Sequence, residues 1–521
     1  MPEADGEAPY AIPAHAARDG AKPAVIMGAT GATITYAALD ARSNRLARHL
    51  RSAGLQPGDH LAIFLRNEAR FLEVVWAAQR SGLYYTPISS LLTAAELDYV
   101  VDDCGAVALV ASSELGVAGG IGERVRRLRV RLAVEGDLPG FDRYETVVDG
   151  CPSTPLVPEI AGSEMFYSSG TTGRPKGVRK PLTLGPAWDV PGYFPTYRDL
   201  YGFDRDTVWL ATGPLYHAGP LYGALAAHRA GGTVVVMERF DAEQALRLIE
   251  RHAVTHAQWV PTMFSRMLKL TPEVRARYDL SSLRFGVHGS APCPVPVKQA
   301  MLDWWGPILY EFYAGTEGNG MTLISPEEWA QRPGSVGRSV LGVAHVVDEA
   351  GRELGPGETG TVWFSEGFSF EYHHDAEKTR DAHDERGWST LGDVGHLDAD
   401  GFLYLTDRQA FMIIAGGVNV YPREIEDVLV VHPLVADVAV IGVPNDDLGE
   451  EVKAVVELVD GVEPSPATAD LLLEHCRTQL ARVKVPRSID FVPVLPRLPT
   501  GKVQKHTLRA PYWEGQASGL V

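Results

Sequence analysis

Between residues 33 and 65 the chain alternates two apolar patterns, and that alternation constrains the fold more than any other feature. Thr33 to Tyr36 is a short extended piece, and Leu39, Leu46 and Leu50 then fall on one helical face that stops at Gly54, a residue suited to a left-handed C′ position. After the turn Gln56-Pro57-Gly58-Asp59, the run Leu61 to Leu65 reads as a buried strand. The same grammar returns later. Asp241 can cap a helix carrying Leu246 and Ile249, set between the strand-like runs Thr233 to Val236 and Val254 to Val260. Apolar strands alternating with amphipathic helices predict an α/β fold with mostly parallel sheets covered by helices on both faces. At about 150 residues per domain, a chain of 521 residues divides into several compact units. A boundary is expected near residue 408, just after Asp407, because a compact C-terminal stretch of ordinary domain size follows it.

The charge balance narrows the function. Asp and Glu number 66 against 48 Lys and Arg, a formal net charge of −18, which repels nucleic acid and anionic membrane. The expectation is a protein with no nucleic-acid partner. No run of 18 apolar residues is present, so no membrane span is expected, and the start Met-Pro-Glu-Ala-Asp-Gly-Glu is acidic where a signal peptide is basic. Cys104, Cys151, Cys293 and Cys476 lie far apart and form no C-x-x-C pair, which fits a reducing, cytoplasmic setting.

Many of the 53 glycines and 36 prolines gather at residues 168–177, 286–296 and 313–320. Gly permits positive φ and close backbone approach while Pro fixes φ, so these are shaped loops of the kind that carry function. In the first, Ser168, Ser169, Thr171 and Thr172 supply hydroxyls, Gly170, Gly173 and Gly177 expose backbone N–H groups, and Arg174 and Lys176 add positive charge. That composition suits a polyphosphate. It is not a P-loop, because Pro175 precedes Lys176 and Gly177 follows it; the alternative is a Ser/Thr-rich surface turn. The run Tyr310 to Gly318 offers Tyr313 to stack on a purine, Thr316 for a phosphate and Glu317 for Mg²⁺, or else an aromatic packed in the core beside an acidic helix start. Gly392-Asp393 and Asp407-Arg408 offer a carboxylate for ribose hydroxyls and a guanidinium beside it, or two surface charges. Pro499-Thr500-Gly501-Lys502 presents a Lys on a turn, which by spacing alone reads equally as a solvated side chain. His373, His374, Asp375 and His383 match no metal-ligand spacing. Gly-x-Ser-x-Gly does not occur, which removes the usual hydrolase reading.

Taken in order, these segments resemble the adenylate-forming superfamily of acyl-CoA synthetases, peptide-synthetase adenylation domains and beetle luciferases, and among them the acyl-CoA synthetases most. The resemblance covers nearly the whole chain. It rests on Ser168 to Gly177, Tyr313 to Glu317, Ser389 to Asp393, Asp407-Arg408, Gly416 to Pro422 with Glu424-Ile425-Glu426, and Pro499 to Lys502. It implies a large N-terminal domain of packed α/β subdomains, residues 1–407, and a small mobile C-terminal α/β domain, 408–521. It also implies two half-reactions: a carboxylate and ATP give acyl-AMP and pyrophosphate, and coenzyme A then takes the acyl group. AMP makes the carboxylate oxygen a good leaving group.

Carried over by position, the resemblance gives Ser168, Ser169, Gly170, Thr171, Thr172, Gly173 and Lys176 the phosphates, and Tyr313 the adenine. Gly289, Ser290, Ala291, Ala314 and Gly315 line the nucleotide, Asp393 and Arg408 take the ribose, and Thr171 and Glu317 hold Mg²⁺. Thr316 contacts the α-phosphate, Lys502 bridges carboxylate and α-phosphate during adenylation, His217 stands at the mouth of the acyl pocket, and Gly416 and Gly417 line a pantetheine tunnel. For His217 an ordinary turn histidine is the competing reading. The acyl pocket itself is implied at Val260 to Thr262, Gly286 to Ala291 and Gly315, with depth for an aryl or extended group.

The chain departs from the family pattern at Ala314, where relatives often carry Gly, and at Ala410 and Phe411, where polar or acidic hinge residues are common. The implied substrates are ATP, coenzyme A and a fatty or aryl carboxylic acid, with a homodimer as one oligomeric option. Three alternatives share the site: transfer of the acyl group to a carrier protein or another nucleophile, activation of an oxyanion such as nitrite, and a non-catalytic nucleotide-binding scaffold. Lys502 speaks against the last, since a scaffold needs no mobile Lys.

Overall fold

The helix between residues 36 and 52 shows how the sequence sets the local structure. Thr35 stands at its N-cap and accepts a hydrogen bond from the Ala38 amide through its side chain. Leu39, Leu46, Ala47 and Leu50 are buried along one face of Tyr36–Ser52, and Gly54 follows with φ +90°. His60–Phe64 then forms a strand, as expected. Asp241 caps Ala242–His252 by accepting from the Gln244 amide at 2.8 Å, and Leu246 and Ile249 face inward.

The computed structural model describes residues 10–115, 123–168, 176–291, 293–408, 411–415, 418–445, 449–497 and 503–514. Two compact units are present. The first comprises Met1–Trp259, Arg266–Val287 and Ser369–Thr379; the second comprises Val260–Ser265, His288–Phe368 and Arg380–Val521.

The first unit carries the expected α/β architecture. One of its sheets runs Pro23–Met27, Thr233–Val236, Val208–Ala211, His256–Trp259, all parallel, with Thr33–Thr35 antiparallel at the edge. The other orders Glu371–Tyr372, Lys176–Arg179, Ser163–Ser168, Tyr84–Pro87, His60–Phe64, Ala106–Ser112, Val130–Val134 and Asp142–Arg143. It is parallel from Ser163–Ser168 onward and antiparallel before it.

The second unit departs from the mostly parallel expectation. Leu309–Ala314, Met321–Ile324 and Arg338–Leu341 pair antiparallel, as do Val343–Val347, Gly360–Ser365, Ser389–Leu397 and Leu403–Arg408. The reason lies in the connections: short turns such as Asp398–Gly401 leave no room for the crossover helix that a parallel pair requires. Residues 413–492 form a further sheet in which Val435–Asn445 and Gly449–Leu458 make a long antiparallel pair and Ser488–Val492 adds in parallel. Its core holds Ile425, Leu429, Val440, Val456 and Leu472. Among the described residues no helix is long and apolar enough to cross a membrane.

Buried histidines give this fold a defined acid limit. The Trp76 indole N–H donates to Nδ1 of His228 at 3.0 Å, and Nε2 lies 3.0 Å from the Ala24 carbonyl oxygen, which fixes the neutral tautomer. Burial pushes the His228 ring down to about 4, and does the same to His256, whose Nε2 meets the Tyr201 carbonyl. Between pH 6.5 and 4 the unfolded chain therefore binds protons that the native chain does not, so stability falls as the pH is lowered through that window. For His228 alone the shift from 6.5 to about 4 is worth up to about 3 kcal/mol. Urea unfolding from pH 7 to 4.5 should show this loss, and His228→Gln, which keeps an acceptor and a donor but cannot titrate, should have the shallower slope. Equal slopes in the two proteins would remove His228 as the cause.

Candidate functional site

The phosphate-type loop is framed by the hairpin of Ser163–Ser168 and Lys176–Arg179, in which Ser168 pairs with Lys176 and Tyr167 with Gly177. Ser169, Gly170, Thr171, Thr172 and Gly173, together with the Ser168 side chain, lie outside the described residues. Lys176 is described: its Nζ sits 2.5 Å from Asp375 Oδ2, while Asp375 Oδ1 accepts from the Lys378 amide at the start of a short helix. The Lys176 ammonium is the main cause holding the Asp375 carboxyl below its usual range. The segment that brings Asp375 here is the edge strand Glu371–Tyr372 on Lys176–Arg179, followed by the His373 amide donating to the Gly177 carbonyl at 2.8 Å. A Cβ at Gly177 would lie 3.1 to 3.2 Å from side-chain atoms of Met165, His373 and Tyr167, so a larger residue there would make these neighbours shift slightly.

His373 and His374 have local explanations. The His373 ring Nε2 lies 2.9 Å from the Asp103 carbonyl oxygen, and the two imidazoles stack at 3.8 Å. Among the described residues no group of three or more His, Cys, Asp or Glu side chains is arranged to hold a metal.

His217 is the N-cap residue of the helix Ala218–Ala230, and its side chain makes no capping bond. Burial pushes its ring down to about 4, so it is neutral at pH 7, and its buried Nε2 has no hydrogen-bond partner among the described residues. The loop before it is held by a residue that sequence reasoning missed. Asn67, buried, donates to the Gly213 carbonyl at 3.0 Å and the Met237 carbonyl at 2.8 Å and accepts from the Leu215 amide at 2.8 Å. Both amide N–H groups and the amide oxygen are engaged, tying Gly213-Pro214-Leu215, the approach to His217, to Met237. A single Asn some 150 residues upstream leaves no sequence signal for that role.

In the second unit, Gly289 packs so closely on residue 312 that a Cβ would lie 2.6 Å from the Phe312 carbonyl oxygen. Ser290 follows at φ +68°, a left-handed conformation unusual for a residue with a side chain, and Ala291 continues the bend. The strand Leu309–Ala314 sets Tyr313 opposite Thr322 and Ala314 opposite Met321. Tyr313 is on a strand rather than beside an acidic helix start, and its hydroxyl donates to Asp393 Oδ2 at 2.6 Å. Two residues that the sequence separates by 80 positions are thus brought together. Asp393 itself stands opposite Arg408 in the register of Ser389–Leu397 and Leu403–Arg408; the Arg408 side chain lies outside the described residues.

After Ala314 the chain turns, with the Gly318 amide donating to the Gly315 carbonyl at 3.1 Å. A Cβ on Gly315 would meet Leu391 and Glu317 Oε2 at 2.4 and 2.8 Å, so the Glu317 carboxylate folds back over Gly315 and is largely buried. Thr316 lies between them, half-buried. Glu317 brings a single carboxylate, which suits Mg²⁺, an ion that keeps waters and takes substrate phosphate oxygens alongside one or two carboxylates. Gly416, Gly417, Ala410 and Lys502 lie outside the described residues. Phe411 is described and lies under Lys505, whose Nζ is 5.4 Å from the ring centre and 2.8 Å from Glu426 Oε1.

Comparison with known proteins identifies the family. Residues 12–370 match the AMP-binding enzyme family and residues 424–502 the AMP-binding enzyme C-terminal domain. The chain is 33% identical over 520 residues to the fatty acid–[acyl-carrier-protein] ligase ScoC of Streptomyces coeruleorubidus, covering 96% of each chain. It is 35% identical over 489 residues to a feruloyl-CoA synthase of an Amycolatopsis species, covering 92% of this chain and 94% of the other. The ATP-bound crystal structure of MatB from Rhodopseudomonas palustris superposes with a TM-score of 0.79 at 30% identity, covering 95% of this chain and 97% of that one.

The Tyr313 to Asp393 bond yields a direct test. Tyr313→Phe keeps the ring and removes the donor, so the carboxylate loses its orientation at a cost of about 1–2 kcal/mol. Equilibrium titration with ATP should show roughly tenfold weaker binding. An unchanged affinity would mean that the bond does not organise a nucleotide site.

Proposed function

This chain belongs to the AMP-binding enzymes, and on that footing we propose that it is an ATP-dependent carboxylate–CoA ligase that makes acyl-AMP and then acyl-CoA from a fatty or aryl acid. The observation that carries the reading is the Tyr313 hydroxyl on Asp393, which joins the aromatic and the carboxylate expected to take adenosine. Matches to both family domains in order, over most of the chain, support it.

In the proposed first step a carboxylate oxygen of the acid attacks the α-phosphorus of ATP and pyrophosphate leaves. Lys176 offsets phosphate charge, Asp393 accepts from the ribose hydroxyls, Arg408 donates to the ribose, and Thr316 donates to the α-phosphate. Mg²⁺, held by Glu317 and Thr171, would neutralise the phosphate oxygens. Lys502 neutralises charge between carboxylate and α-phosphate, an effect worth most where water is excluded. In the second step the coenzyme A thiolate attacks the acyl carbon, the C–O bond to AMP breaks, and a thioester forms. A neutral His217 at the acyl mouth would offer one N–H donor and one bare nitrogen at pH 7. The chain is proposed to turn about residue 408 between the steps, which withdraws Lys502 and brings Gly416 and Gly417 to the pantetheine. The proposed setting is the cytoplasm, where both ATP and coenzyme A are available.

Transfer to a carrier protein is the second reading, favoured by the likeness to ScoC. The experiment that separates the two is pyrophosphate release from Mg²⁺-ATP across aliphatic, aryl and amino acids and nitrite, with and without coenzyme A, with thioester detected by mass spectrometry. Acid-dependent release with a matching thioester supports the ligase; release without one favours another acceptor. Lys502→Ala should lower adenylate formation by at least about a hundredfold, in the range of lost electrostatic groups, yet leave thioester formation from supplied acyl-AMP intact. Loss of both half-reactions in a folded variant would refute the two-state scheme. Gly417→Leu should slow thioester formation more than adenylation, and equal losses would remove that loop from the tunnel.

A further inference from the structure

Lys176 stands where a parallel sheet presents its ligands. The strand Ser163–Ser168 runs parallel to Tyr84–Pro87, and Tyr84–Pro87 to His60–Phe64, so Ser168 lies at the carboxyl edge of these strands. Lys176 pairs with Ser168 and shares that edge, outside which open α/β sheets bind their ligands. Its ammonium already has an anionic partner there. Asp375 Oδ2 lies 2.5 Å away, and the two side chains keep 22% and 27% of their surface exposed.

The two partners differ in freedom. Asp375 stands directly before the helix Ala376–Asp381; its Oδ1 accepts from the Lys378 amide at 3.0 Å, and its carbonyl oxygen accepts from the Thr379 hydroxyl at 2.8 Å. The residues before it are fastened as well, Glu371–Tyr372 on Lys176–Arg179 and the His373 ring on the Asp103 carbonyl at 2.9 Å. With one oxygen committed to the cap, the carboxylate turns away from the ammonium only by breaking that cap. The Lys176 head sits on a flexible four-carbon stem and carries three donors, of which Asp375 takes one. A phosphate that reaches Lys176 therefore comes beside a carboxylate that stays. Repulsion from this anchored charge offsets part of the attraction of the ammonium. The offset grows with the phosphate charge placed at Lys176, which is large for ATP and pyrophosphate and absent for AMP, whose single phosphate is not the one assigned to this Lys.

We propose that Asp375 is a positioning residue of the phosphate site: it competes with the β- and γ-phosphates for Lys176, weakens the hold on ATP and pyrophosphate but not on AMP, and so favours departure of pyrophosphate while acyl-AMP stays. The inference rests on the carboxylate–CoA ligase reading and adds to it the residue that sets how readily the first product leaves.

Asp375→Asn isolates the charge, because Asn caps a helix as well as Asp does and keeps an oxygen for the Lys378 amide. Calorimetric titration of the full chain should show Mg²⁺-ATP and Mg²⁺-pyrophosphate binding about 3- to 10-fold more tightly to Asp375→Asn than to the wild type, with AMP within about twofold. The gain should shrink in about 0.5 M salt, where charges this exposed are screened. A purely structural role would not tighten two ligands and spare the third. ATP and pyrophosphate bound equally well or more weakly by the variant overturns the proposal, as does an equal gain for AMP; each of these outcomes leaves the ligase reading standing. Where Asp375→Asn fails to fold, Asp375→Ser, which also keeps a capping oxygen and drops the charge, is judged by the same outcomes. A wild-type protein that binds neither ATP nor pyrophosphate, and releases no pyrophosphate across the acid panel above, defeats the ligase reading and this inference with it.

Discussion

The hydrogen bond from Tyr313 to Asp393 is the constraint on which the second unit's polar surface depends. It joins two strands of different sheets, Leu309–Ala314 and Ser389–Leu397, at one oxygen. With that oxygen occupied, the Asp393 carboxylate has a defined orientation, and its remaining oxygen is directed by the same bond. Everything around it is built to hold strands at short range. Glycine at 289 lets the neighbouring backbone approach, glycine at 315 lets Glu317 fold back, and the turn at Gly315 to Gly318 ends the strand immediately after Ala314. A site that reads a flat ring and two hydroxyls needs such fixed placement, because a displacement of an ångström forfeits much of the benefit of orientation.

Charge follows a similar logic in the first unit. A chain of net charge −18 must gather cations locally to attract a polyphosphate. Lys176 is the cation proposed for that task, and it is already engaged by Asp375, half-buried beside it. In the proposed function an arriving phosphate would therefore meet an ion pair rather than a bare ammonium, and its affinity would be a difference between two electrostatic partners of the same Lys.

What was legible in the sequence was local. The cap at Asp241, the left-handed Gly54 and the buried strand at residue 60 each depend on a few neighbouring residues, and the structure reproduces them. Long-range features were not legible. Asp375 meets Lys176 across 199 positions, and Asn67 holds the approach to His217 across 148. Nothing near those residues marks them, since the contact exists only after the strands assemble. The antiparallel second unit was missed for a related reason: short apolar strands look the same in either direction, and only the lengths of their connections decide.

Residues 369 to 379 belong to the first unit although the chain on both sides of them belongs to the second. During synthesis, the strand Lys176–Arg179 therefore waits for its outer neighbour until Glu371–Tyr372 has left the ribosome. The first unit cannot complete its edge as an independent early domain, and its Lys176 acquires Asp375 only after most of the second unit's antiparallel strands before residue 369 have also emerged. The two units are thus tied in folding order, and a nascent chain halted before residue 371 would expose an unpaired sheet edge of the kind that recruits chaperones or aggregates.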